Sequence, residues 1–122
     1  MNNTSSKIKN FQNPDDSAIA SWVYDGQKIV KGTNGRLIAI KTHAGNILAV
    51  HIDKSYGSDN AFLYGPDGTV LRKIVNPVER AVCFDDVFYT NYELTLISGS
   101  ASKRVACVID ESGNLIRTYE TR

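Results

Sequence analysis

The 122-residue chain predicts an all-β domain: an antiparallel meander of about ten strands in five hairpins. Three observations carry this expectation. A four-residue echo stands at Gly45-Asn46-Ile47-Leu48, Gly68-Thr69-Val70-Leu71 and Gly113-Asn114-Leu115-Ile116. The first two marks are 23 residues apart and the last two 45, almost twice that, so a mark is due near residue 91, where the chain has Asn91-Tyr92. Apolar or β-branched runs flank every mark, as strands flank a tight turn.

The turns explain the residue types. Pro66-Asp67-Gly68 sets φ with proline and places glycine in the left-handed region. Ala44-Gly45 and Ser112-Gly113 fit the same mould, and Asp25-Gly26 opens the series. Asn91 is the non-glycine residue that best tolerates positive φ.

The elements follow in order. Residues 1–16 are polar and are read as a mobile arm, with 17–122 as a single all-β domain. Ile19–Tyr24 pairs with Gln27–Lys31. A short helix over 17–24, capped by Asp16 or Ser17, competes there, but Trp22, Val23 and Tyr24 favour a strand. Arg36–Thr42 leads into Asn46–Ile52, and Asn60–Tyr64 into Thr69–Val75. Arg80–Tyr89 leads into Tyr92–Ser98, and Lys103–Ile109 into Asn114–Tyr119. Val105–Ile109 is apolar on both faces, as an interior strand would be. Thr69–Val75 and Asn114–Glu120 mix charge with apolar residues, as edge strands would.

Two such units span about 45 residues, close to one blade of a β-propeller. A closed propeller needs typically four blades or more, and this chain has about two and a half. A half-propeller-like sheet stack, a barrel and a sandwich remain. No strict inside face recurs on every strand, which favours a packed meander over a hollow barrel.

Composition bounds the rest. Hydrophobic residues make up 42% and charged residues 22%, which excludes a disordered chain. A formal net charge of +1 offers no global basic field for nucleic acid. No stretch approaches the ~18 apolar residues of a membrane helix, and no apolar leader follows Lys7 and Lys9. The cytoplasm is the expected compartment. Cys83 and Cys107 lie in apolar runs and read as reduced, small apolar side chains.

Local catalytic signals are missing, so the chain is expected not to be an enzyme and to use no cofactor or metal. His51 and Asp53 would share a strand face and read as a surface pair. Asp85 and Asp86, adjacent in a strand, would point to opposite faces. No phosphate-binding glycine loop and no zinc spacing occurs.

Charge is distributed unevenly. From Ala81 to Ser102 there is no Lys or Arg, while Asp85, Asp86 and Glu93 stand there with Phe84, Phe88, Tyr89 and Tyr92. Acids beside tyrosines suit a basic protein partner. Asp85, Asp86, Tyr92 and Glu93 form one candidate partner-binding site. Tyr56, Asp59 and Glu79, on loops at the other end of the hairpins, form the second.

The stretches FDDVFYTNYELTLISGS and ACVIDESGNLIRTYETR resemble the immunity proteins of contact-dependent growth inhibition and related polymorphic toxin systems. The resemblance implies a bacterial cytoplasmic antitoxin that binds one toxin domain, often a nuclease, and neutralises it. The near-neutral charge departs from the acidic balance of many nuclease inhibitors. The alternatives are a repeat-type β-binding module closing by oligomerisation and a small-ligand barrel.

Overall fold

A computed structural model describes residues 7–100 and 102–121. Among the described residues, eleven strands form three antiparallel sheets, each a simple meander. Sheet A contains β1 (Ile8–Gln12), β2 (Ile19–Tyr24) and β3 (Gln27–Gly32). Sheet B contains β4 (Arg36–Lys41), β5 (Ile47–Ile52), β6 (Ala61–Tyr64) and β7 (Val70–Ile74). Sheet C contains β8 (Cys83–Thr90), β9 (Glu93–Gly99), β10 (Arg104–Ile109) and β11 (Leu115–Thr121). A 3-10 turn, Lys54–Tyr56, lies between β5 and β6. The fold is therefore the expected antiparallel meander, laid out as a stack of sheets that among the described residues closes no barrel.

Within the expected arm over 1–16, Ile8–Gln12 form a strand instead. Ile8 pairs with Tyr24 and Lys9 with Val23, because buried Ile8 and half-buried Phe11 pack on Trp22 and its neighbours. Residues 1–6 lie outside the described residues.

Sheet B is the middle layer, and β5 shows why. Ile47 and Ala49 pack with Ala20, Trp22, Leu37 and Tyr64 on the sheet A side. Leu48 and Val50 pack with Leu63, Phe84, Leu96 and Cys107 on the sheet C side. Alternation sends successive side chains to opposite faces, so a strand covered on both sides must be apolar throughout. β7 and β11 are edge strands, as their mixed sequences predict, and β10 is interior.

The glycine echo has one geometry. Gly45, Gly68 and Gly113 have φ of 90, 88 and 89°. Each donates its N–H to the residue three earlier: Thr42, Gly65 and Asp110. Those three residues in turn donate to the C=O of Asn46, Thr69 and Asn114. This is a type I turn followed by a left-handed bulge glycine, one of the common hairpin closures. The marks at 26 and 91 are tighter. Asp25 and Gly26, and Asn91 and Tyr92, both have positive φ, the signature of a two-residue type I′ turn.

Two asparagines tie the layers. Asn13 accepts from the Ala39 N–H (2.9 Å) and donates to the C=O groups of Leu37 (2.9 Å) and Ile19 (3.0 Å). Asn60, fully buried, accepts from the Phe84 N–H (2.7 Å) and donates to the C=O groups of Phe84 (2.8 Å) and His51 (3.0 Å). Trp22, at the centre of the A–B interface, donates its indole N–H to the Pro66 C=O at 2.7 Å.

Candidate partner-binding surfaces

The first predicted site lies on β8 and the turn into β9. A bulge interrupts β8: Phe84 pairs with Ser98 and Asp86 with Ile97, leaving Asp85 as the extra residue. Simple alternation therefore fails at this point, and Asp85 and Asp86 do not take opposite faces as a regular strand would require. Both carboxylates act on one guanidinium, Arg104, whose charged form they favour, Asp85 the more strongly. Arg104 binds Asp85 through two hydrogen bonds of 2.6 and 2.9 Å. Glu93 is held in the same way by Arg117, at 2.7 and 2.6 Å. This bond holds the Glu93 carboxyl below its ordinary range.

The stretch without bases is thus not a region without bases in space. β10 and β11 bring Arg104 and Arg117 onto it across the sheet. The two ion pairs lie over small and apolar residues of the outer face of sheet C, including buried Ala106, Val108 and Ile97. Such a polar outer layer is what a terminal repeat needs in a stack. Asp86 accepts from the Val87 N–H and lines a cleft with Asn13, Asp16, Arg36 and Ile38.

Tyr92 differs from its neighbours. It is 92% exposed at the tip of the β8–β9 hairpin, with φ of 65°.

The second predicted site divides. Asp59 accepts from the Asn76 N–H at 2.7 Å and so joins two loops. Tyr56 stacks on His51, with ring centroids 4.6 Å apart. Glu79 is exposed on the loop before β8. Of the three, only Glu79 is free of an internal role among these contacts.

His51 corrects the expectation of a surface pair. It is 2% exposed and faces sheet A, bonded through Nε2 to the Tyr64 hydroxyl at 2.9 Å. Its Nδ1 is buried without a hydrogen-bond partner. Burial lowers its pKa, and the nearby Asp53 opposes that. Asp53 itself turns away to cap the 3-10 turn. Hydrogen bonds from Ser55, Asn34 and Thr33 bring its pKa down to about 2. Phe62 and Tyr64 close around the imidazole, and Lys31 lies 4.6 Å above the Tyr64 ring.

At the turn end, Tyr89 joins sheets B and C. Its hydroxyl accepts from the His43 N–H (2.9 Å) and donates to Glu111 (2.7 Å), which also accepts from the Ala44 N–H (3.0 Å). The His43 ring stacks on Tyr89 at 3.9 Å. These bonds fix two hairpin tips against each other.

Among the described residues, no group of three or more His, Cys, Asp or Glu could hold a metal ion. Cys83 and Cys107 are free thiols, and burial pushes that of Cys107 up to about 11. No helix among the described residues is long and apolar enough to cross a membrane. Compared with protein-family models, curated proteins and solved structures, the chain matches none.

Proposed function

We propose that the protein is an inhibitor of the immunity type, binding and neutralising a cognate protein toxin domain, with Tyr92 as an anchor of the contact. The observation that supports this is the cost of Tyr92. The type I′ turn requires positive φ at this position, and a tyrosine meets that requirement at a higher cost than glycine or asparagine would. Its ring is almost wholly in water, so burial within this chain does not offset that cost. Strain of this kind clusters at binding and switch positions. A tyrosine held on a rigid tip presents a large amphipathic surface with little entropy left to lose. The Glu93–Arg117 pair beside it supplies a polar rim already held in one geometry.

Two substitutions test the reading. Tyr92→Gly removes the anchor and relieves the left-handed backbone. The protein should melt no lower than the parent. It should nonetheless bind the toxin domain encoded by the adjacent upstream gene at least tenfold more weakly, and lose protection on co-expression. Arg117→Ala releases both oxygens of Glu93, which should tighten binding if the toxin domain is basic. Unchanged protection and affinity in Tyr92→Gly would remove Tyr92 from the contact and, with it, the support for this reading.

A repeat-type β-binding module is the second reading, and the regular stack of three meanders favours it. It predicts partners unrelated to the neighbouring gene.

A further inference from the structure

Sheets A and C each turn one face outward at the ends of the stack, and the two faces treat charge differently. On β2, Ala20 and Trp22 pack inward on sheet B, so alternation sends Ile19, Ser21 and Val23 outward. The register adds their neighbours. Val23 stands between Lys9 and Lys28, and Ser21 between Gln12 and Val30. The face therefore reads lysine, valine, lysine in one row and glutamine, serine, valine in the next. Lys9 and Lys28 are exposed, and so are Val30 and Ile19, at 53% and 49%.

On the outer face of sheet C, Arg104 and Arg117 each meet a carboxylate across the ladder, Asp85 and Glu93. Sheet A has no such compensation. Its strands contain no Asp or Glu, and among the described residues neither Lys9 nor Lys28 has a carboxylate within ion-pair distance. Asp25, at the hairpin tip, pairs with neither. Two strand spacings set the two lysine backbones roughly 10 Å apart. Two like charges thus share one row, with only Val23 between them.

The face is also hollowed. The register of β1 shifts between Lys9 and Gln12, and Asn10 within the shift has φ of 55°. A recess of about 220 Å³ opens there, lined by Asn10, Gln12, Ser21, Val23 and Lys28. A second, of about 640 Å³, lies between Lys7, Lys9, Val23 and the Asp25-Gly26 tip. Val23 borders both. Amide and hydroxyl groups and an aliphatic side chain line the hollows, and ammonium groups stand at their rims.

We infer that the outer face of sheet A binds a protein segment in which carboxylates alternate with aliphatic side chains. Lysines without internal partners favour an acidic surface and repel a basic one. Val23, Val30 and Ile19 give the aliphatic side chains a surface to cover. A nucleic acid would be met by stacking rings or arginine forks. Sheet A has no arginine in its strands, and its rings, Phe11, Trp22 and Tyr24, pack on the core shared with sheet B. Sheet B separates this face from sheet C and Tyr92, so the acidic partner and the toxin domain occupy opposite ends of the stack. The inference goes beyond the toxin-binding reading and does not depend on it.

The test uses the whole chain, nitrogen-15-labelled, and titrates into it acetyl-Glu-Val-Glu-Val-Glu-amide, its lysine counterpart acetyl-Lys-Val-Lys-Val-Lys-amide, and a thymidine oligonucleotide. The acidic peptide should shift the amides of Lys9, Gln12, Ser21, Val23, Lys28 and Val30. It should bind at least tenfold more tightly than the basic peptide, and rising salt should weaken it. Lys9→Glu and Lys28→Glu, each at an exposed position, should each weaken it at least tenfold and leave the melting temperature unchanged. Tyr92→Gly should bind the acidic peptide as the parent does, so loss of toxin neutralisation leaves this result standing. Shifts confined to other sheets, equal binding of the two peptides, or unchanged affinity in both lysine variants would overturn the inference. Tighter binding of the oligonucleotide at the same amides would overturn it too, as would dimerisation of the free protein that buries them.

Discussion

Asn13 and Asn60 hold equivalent positions one sheet apart. Each lies in the loop before the strand that pairs with the next hairpin partner, β2 and β6. Each bonds a carbonyl of its own sheet and two backbone groups of the first strand of the next. The matching loop of sheet C, Gly99-Ser100-Ala101-Ser102, has no asparagine. The amide side chain is the suitable one because it accepts and donates at once.

Asn60→Ala should cost on the order of 3 kcal/mol, because it strands buried backbone groups at Phe84 and His51. Asn13→Ala, at a site only partly buried, should cost about half as much. Chemical denaturation of both variants checks the ranking. Equal, negligible losses would mean that side-chain packing alone holds the layers.

The bulge glycines should rank by what surrounds them. A Cβ at Gly68 would stand 2.8 Å from the Ile29 side chain, and one at Gly113 2.9 Å from Ile74. At Gly26 nothing lies within 4 Å. All three have positive φ, which alone costs an alanine about 1 kcal/mol. Gly68→Ala and Gly113→Ala should therefore melt lower than Gly26→Ala. Gly57 belongs with the strained set too, at φ of 68°.

His51 should make stability fall in mild acid. Its folded pKa lies below the ordinary 6.5 through burial. Above that value both folded and unfolded chains carry a neutral ring, and the contribution is fully present. As pH falls from about 6.5 through the lowered folded value, the unfolded chain takes up the proton first, and stability is lost. His51→Phe should flatten the fall of the urea midpoint that sets in below about pH 6.5. An unchanged slope would place the titration elsewhere.

Tyr89→Phe should cost about 1–2 kcal/mol, since it removes the acceptor for His43 and the donor to Glu111 in one step. Thermal melts at neutral pH measure it. The Tyr89 hydroxyl is pushed up to about 12, chiefly by burial, so it stays protonated across the working range.

The turns and strands were legible because they are local. A glycine at positive φ and a β-branched run each state their conformation within a few residues. Asn91 could be inferred from spacing alone. Layering was not legible, since which face of β5 meets which sheet depends on pairings between distant residues. The acid patch misled for the same reason: Arg104 and Arg117 lie outside the stretch in sequence and on top of it in space. Asp85 shows a third limit. A bulge adds one residue to one strand, and no residue type near Phe84 announces it. Asn13 and Asn60 carried a faint signal, as polar residues beside apolar runs.

The apolar faces of β5 also have a consequence for how the strand finds its place. In a strand with one wet face, a slip of one residue drives apolar groups into water, and that penalty fixes the alignment. Here Ile47, Leu48, Ala49 and Val50 are all buried, so a slip would exchange one apolar row for another with little change in solvation. Hydrophobicity is nearly silent about alignment in the strand that both interfaces share. The alignment must come from the two ends: the Gly45 turn, and the bond from the His51 N–H to the Asn60 C=O. An insertion inside the Gly45 turn would consequently disturb both interfaces together, although it alters neither face's composition.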